Sequence, residues 1–144
     1  MIEDTAPARK RLLLVEPHSL FRSTLANVAR QFARVDVHET SSLDAARLAL
    51  ETQCFDALML NVGDKLGGLD LLQLLRDGGT LNPTDLPTAL LAESIDQASI
   101  DRIKAMAPKR LLLMPFKVRT ALDVITELMA PPGTAQPEST LLRA

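Results

Sequence analysis

Apolar residues in this chain fall into two alternating kinds of segment. Short unbroken runs, RLLLV (11–15), DALMLN (56–61), TALLA (88–92) and RLLLM (110–114), are the pattern of strands covered on both faces. VDVHE (35–39) alternates only weakly, as an edge strand does. Between these runs the apolar positions space themselves by three and four. Phe21, Leu25, Val28, Ala29 and Phe32 predict a helix from Ser19 to Phe32. Leu43 to Thr52 predicts a second helix, with Ser41 or Ser42 as its cap. Leu69 to Arg76 predicts a third, closed by Gly78 and Gly79. Gln97 to Met106 follows Asp96 as a cap and stops before Pro108. The last helix carries the stripe Val118, Ala121, Leu122, Ile125, Leu128 and Met129, which leaves Val124 off the buried face.

Strand followed by helix, five times over, implies a parallel sheet with helices on both faces. One domain over residues 9–130 is expected, followed by a disordered tail at 131–144, PPGTAQPESTLLRA, rich in Pro, Gly, Ser and Thr. The string KRLLL occurs twice, at 10–14 and 109–113, but nothing around the two copies matches. They read as two similar buried strands.

Composition narrows the function classes. The chain has 144 residues, 47% hydrophobic and 24% charged, with a formal net charge of −2. That balance gives no electrostatic case for nucleic acid or a membrane surface. Four Phe with no Trp or Tyr give no base-stacking platform. The cluster Arg9, Lys10 and Arg11 is too small for a nucleic-acid footprint and reads as a solvated approach to the first strand. No apolar run reaches the roughly 20 residues of a membrane span, and MIEDTAPARK shows no signal-peptide core. A single cysteine, Cys54, cannot form an internal disulfide and reads as a half-buried small residue. A cytoplasmic protein is expected. His18, His38 and Cys54 are not at metal-ligand spacing, and GDKLGG lacks the Gly-Lys-Ser/Thr of a phosphate loop.

Taken together, RLLLVEPHSLFRSTL, FDALMLNVGDKLGGLDLL, DLPTALLAE and RLLLMPF resemble, in order, the segments of a response-regulator receiver domain, the CheY-like phosphoacceptor module of two-component signalling. The resemblance covers roughly residues 9–130, with the loop from Asn61 to Gly68 about one residue short. It implies a flavodoxin-like (βα)5 fold, a doubly wound parallel five-stranded sheet of order 2-1-3-4-5. It also implies where the chemistry of such a domain would sit. An acidic pair should follow the first strand, but Glu16 is followed by Pro17. A carboxylate acceptor should end the third strand, where Asn61 stands. A hydroxyl should end the fourth, where Ala92 stands, and a lysine the fifth, where Met114 stands. Leu111 takes the place often held by a switch aromatic.

Aspartyl phosphorylation needs the carboxylate nucleophile, oxygen ligands for a divalent cation, and a hydroxyl and ammonium on the phosphoryl oxygens. Losses in four strands imply a pseudo-receiver, a degenerate site rather than an enzyme, with no cofactor and no metal beyond a weak site at Glu16. Glu16 otherwise reads as a solvated strand-end acid, held by a backbone N–H. Asp64, three residues on in the loop, is the alternative acceptor, though Ala92 and Met114 would leave its phosphate unsupported.

The resemblance then implies action by protein contact: with a histidine kinase, another signalling protein, or a second copy as a homodimer. The family's usual output face falls on residues 96–106, 110–114 and 117–129, with Asp101, Arg102, Lys104, Arg119, Asp123 and Glu127 as exposed charges and Val124 as an apolar point. The first helix, around Arg22 and Asn27, is the alternative face. His18 should start that helix, and Met114–Pro115 should be cis. Two other readings stay open: a working phosphorelay receiver with unusual site residues, and a small flavodoxin-like ligand binder. The latter lacks a glycine fingerprint after RLLLV.

Overall fold

The computed structural model describes residues 9–63 and 65–131. The expected disordered tail therefore lies, beyond Pro131, outside the described residues, as does Asp64. The elements run β1 (Arg11–Val15), α1 (Ser19–Val28), a π-helical turn (Ala29–Ala33), β2 (Asp36–Thr40), α2 (Leu43–Thr52), β3 (Ala57–Asn61), α3 (Gly68–Arg76), β4 (Thr88–Ala92), α4 (Gln97–Met106), β5 (Arg110–Leu113) and α5 (Val118–Leu128). The five strands form one parallel sheet of order β2-β1-β3-β4-β5. This is the flavodoxin-like arrangement expected from the sequence.

Alternate side chains of each strand serve opposite layers, since successive side chains point to opposite faces. Leu13, Val15, Leu58, Leu60 and Leu90 join Leu50, Leu72 and Ile103 in a core shared with α2, α3 and α4. Leu12, Leu14, Met59, Leu91 and Leu112 join Leu25, Ala121 and Ile125 in a second core under α1 and α5. The central strands β3 and β4 carry apolar side chains on both faces because both faces are covered. Edge strand β2 is mostly half-buried, which accounts for its weaker pattern.

Several sequence-based expectations need correction. The first helix does not carry its stripe to Phe32, which is 64% exposed. The chain widens into the π-helical turn after Val28, and i→i+5 bonding changes the rotation per residue. Ala29 is buried and Ala33 packs against the core instead, and Arg34 closes the segment at φ 57°. Val124 is not an exposed apolar point: it is 1% exposed. It stands three residues after Ala121 and four before Leu128, at the centre of the real stripe, with Val118 and Leu122 at its margins. Cys54 is exposed rather than half-buried.

Arg9, Lys10 and Arg11 are also more than a solvated approach. Lys10 Nζ donates to Met129 O at 2.7 Å and Arg9 to Arg30 O at 3.5 Å. Arg11 donates to Cys54 O and Gln53 Oε1, and its guanidinium lies 4.8 Å from the Phe55 ring centre. These bonds fasten the start of β1 to α5, to the π-helical turn and to the α2–β3 loop.

Candidate functional site

Parallel strands deliver all their C-termini to one end of the sheet, and in open α/β sheets that end forms the crevice. Here it is a cleft of 540 Å³ whose lining includes Glu16, His18, Asn61, Glu93, Met114 and Phe116. Local sequence decides how each side chain reaches it. Glu16, Pro17 and His18 follow β1 directly, and His18 caps α1, its Nδ1 accepting from Phe21 N at 3.2 Å. Asn61 is the last residue of β3. Beyond it Val62 is buried, and its N–H still bonds Leu91 O at 2.9 Å. Gly63 turns the chain at φ 86°. Gly68 must lack a side chain, because a Cβ there would come within 2.7 Å of Val62 Cα. That close approach brings α3 in against the end of β3.

Glu16 is 2% exposed, not the solvated acid expected. Each of its carboxylate oxygens accepts a hydrogen bond. Its Oε1 accepts from Asn61 Nδ2 at 2.9 Å and its Oε2 from the His18 N–H at 2.9 Å. Its own backbone N–H bonds Thr40 O, and its carbonyl accepts from Arg22 at 2.9 Å. Asn61 Oδ1 accepts from the Gly63 N–H at 2.8 Å. The orientation of the amide is therefore dictated: a carboxylate can only accept and a backbone N–H can only donate. The amide joins β1 to β3 and holds the first turn of the β3–α3 loop.

The positions expected to hold the phosphoryl group are apolar. Ala92 ends β4 and is buried. Met114 is half-buried and packs against the α1/α5 core. Beyond it, Met114–Pro115 is cis, as expected. Phe116 lies against Phe21 with ring centres 5.6 Å apart. Leu111 is buried in the other core, so it cannot act as a surface switch residue. Glu93 and Ser94, which sequence reading passed over, are exposed and lie at the cleft. Their only sequence signal was their place just after β4.

A divalent cation is the group this fold implies, and the donor set does not suit it. Among the described residues Glu16 is the one inner carboxylate, the amide presents N–H toward it, and Pro17 offers no side-chain oxygen. Among the described residues no group of three His, Cys, Asp or Glu could hold a metal ion.

The second candidate region is the face of α4, β5 and α5. Asp101, Arg102, Lys104, Arg119 and Asp123 are exposed there, as expected. Glu127 is not: it is half-buried and paired with Arg110. Arg102 bonds Asp70 of α3 at 2.7 Å, and Arg119 and Asp123 form an exposed pair at 3.4 Å. The apolar point assigned to Val124 belongs to Leu113 on edge strand β5, 43% exposed. On the alternative face, Arg22 is half-buried and bonds Glu16 O and Glu39, whereas Asn27 is exposed.

No protein-family model and no curated protein sequence matches the chain. Solved structures do match. A response-regulator receiver protein from Pseudomonas putida superposes with a TM-score of 0.73 at 18% identity, over 85% of this chain and 99% of that one. A Francisella response-regulator receiver domain gives 0.71 at 15%, over 84% and 97%. The receiver domain of a Pseudomonas aeruginosa sensor histidine kinase gives 0.69 at 19%, over 85% and 98%. That domain was solved with a magnesium ion coordinated in its active-site cleft. At these identities the likeness establishes the receiver fold. Among the described residues no helix is long and apolar enough to cross a membrane.

Proposed function

We propose that this receiver-fold chain is a signalling module that takes no phosphoryl group at Asn61 and acts through contact with another protein. The observation that carries the reading is the bond between Asn61 Nδ2 and Glu16 Oε1. In a working site, two carboxylates at these strand ends would repel unless a cation lay between them. Here a neutral amide joins the strands directly and leaves no demand for a cation. Ala92 and Met114 remove the hydroxyl and ammonium that would steady phosphoryl oxygens. The module is then not an enzyme. Incubation with Mg²⁺ and acetyl phosphate, read by intact mass, should give no added phosphate. A stoichiometric adduct, at Asp64 or elsewhere, would instead support the phosphorelay reading.

The partner is a histidine kinase, another signalling protein or a second copy of the chain, and the proposed contact is the α4–β5–α5 face. Its mixed exposed charges suit an orientation-selective, salt-sensitive contact, with Leu113 as the apolar centre. Arg119→Glu with Leu113→Ser should reduce self-association in sedimentation or partner capture. If those changes are silent while Asn27→Arg is not, the contact lies on α1.

A further inference from the structure

We infer that the cleft at the C-terminal end of the sheet binds an aromatic small molecule that carries no negative charge. The inference shares one premise with the proposed function, that this cleft does not take phosphate, but it adds a ligand which that reading does not require.

Size comes first. A volume of 540 Å³ lies within the roughly 300–1,000 Å³ of small-molecule sites. Its wall supplies apolar area: Phe21 and Phe116, in tilted contact at 5.6 Å, with Met114, Pro17 and Pro115 around them. Phe21, Met114 and Phe116 are only half-buried while also packing on the core, so part of each is left for a ligand. Aromatic rings in this arrangement suit a further ring, and methionine adapts to irregular shapes.

Charge then selects. No lysine or arginine lines the cleft among the described residues, while Glu16 and Glu93 do. Anions have no counter-charge there and meet an acidic mouth. A small set of polar groups is left to orient such a ligand. His18 uses Nδ1 to accept from Phe21 N, so in the neutral ring the proton sits on Nε2 as a donor. The Ser94 hydroxyl, exposed at the cleft, is a second. An apolar wall with a few convergent polar groups is the usual make-up of a ligand site.

Two probes with one aromatic skeleton separate shape from charge: neutral N-phenylnaphthylamine and anionic anilinonaphthalene sulfonate. Titrated into the folded full chain, the neutral probe should show saturable fluorescence and bind at least about ten-fold tighter than the sulfonate. Ser94→Trp, an exposed change that fills the mouth, should abolish neutral-probe binding while circular dichroism stays unchanged. Glu93→Lys should shrink the preference several-fold. Leu81→Ser, which removes an exposed leucine outside the cleft, should change nothing. Absence of saturable binding, equal affinity for both probes, or sensitivity to Leu81→Ser rather than Ser94→Trp would overturn the inference. Mass measured on the same sample after acetyl phosphate reads the phosphorylation question separately, so either idea can fail alone.

Discussion

Replacing Asn61 with aspartate would turn the bond between β1 and β3 into a clash of charges. The amide N–H that meets Glu16 Oε1 at 2.9 Å becomes a carboxylate oxygen, while the acceptor for Gly63 N–H is retained. Two full charges at that separation, in surroundings of effective permittivity about 20, repel by roughly 6 kcal/mol. The protein can escape by protonating one member of the new pair. From an ordinary glutamate value near 4.3, that costs about 4 kcal/mol at pH 7 and about 1 kcal/mol at pH 5. A shared proton would also restore the hydrogen bond. Asn61→Asp should therefore lose up to about 4 kcal/mol at pH 7, less where the side chains swing apart, and recover most of it at pH 5.

The sign follows from linkage. A carboxyl whose folded pKa is raised costs stability above its unfolded value, and the cost vanishes as pH falls below it. Mg²⁺ supplies the other escape, so it should stabilise the variant and leave the parent unchanged. Urea unfolding at pH 7 and pH 5, with EDTA or with Mg²⁺, measures all four conditions. A variant as stable as the parent at pH 7 without metal, or a parent stabilised by Mg²⁺, would refute the role given to the Asn61–Glu16 bond.

Other outcomes follow from particular contacts. Asn82 is buried, accepts from Phe55 N at 2.7 Å and donates to Leu50 O and Gln53 O at 2.9 and 2.8 Å. Asn82→Ala strands these groups and should cost about 3 kcal/mol in urea unfolding. Ser42 caps α2 through Ala45 N at 3.1 Å, so Ser42→Ala should cost about 1 kcal/mol. Hydrogen bonds from the Ser99 side chain and then its backbone N–H hold the Asp96 carboxyl below the usual carboxylate range. Its cap on α4 therefore contributes above the ordinary value near 3.9 and is lost only as pH falls through the lowered one. A carboxyl NMR titration of Asp96 should show the low midpoint, and Ser99→Ala should raise it.

The fold was legible in the sequence because its signals are local and repeated. RLLLV, ALMLN and TALLA read as strands covered twice, and the helical stripes between them pointed to a doubly wound sheet. The resemblance to receiver domains singled out Asn61, Ala92 and Met114 because each stands at a strand end of that alternation. What failed was whatever depended on rotation or on distant neighbours. Phe32 left its stripe because a π-helical turn changed the helical phase, and Val124 entered one because the stripe's centre is set by the sheet beneath α5. Asn82 gave no signal, since the three partners of its side chain lie 27 to 32 residues away. Glu16 could be read as an acid at a strand end. Only the folded chain brings it, across 45 residues, to the amide of Asn61. A buried charge must be hydrogen-bonded, but the sequence does not say by what; the parallel register of β1 and β3 does.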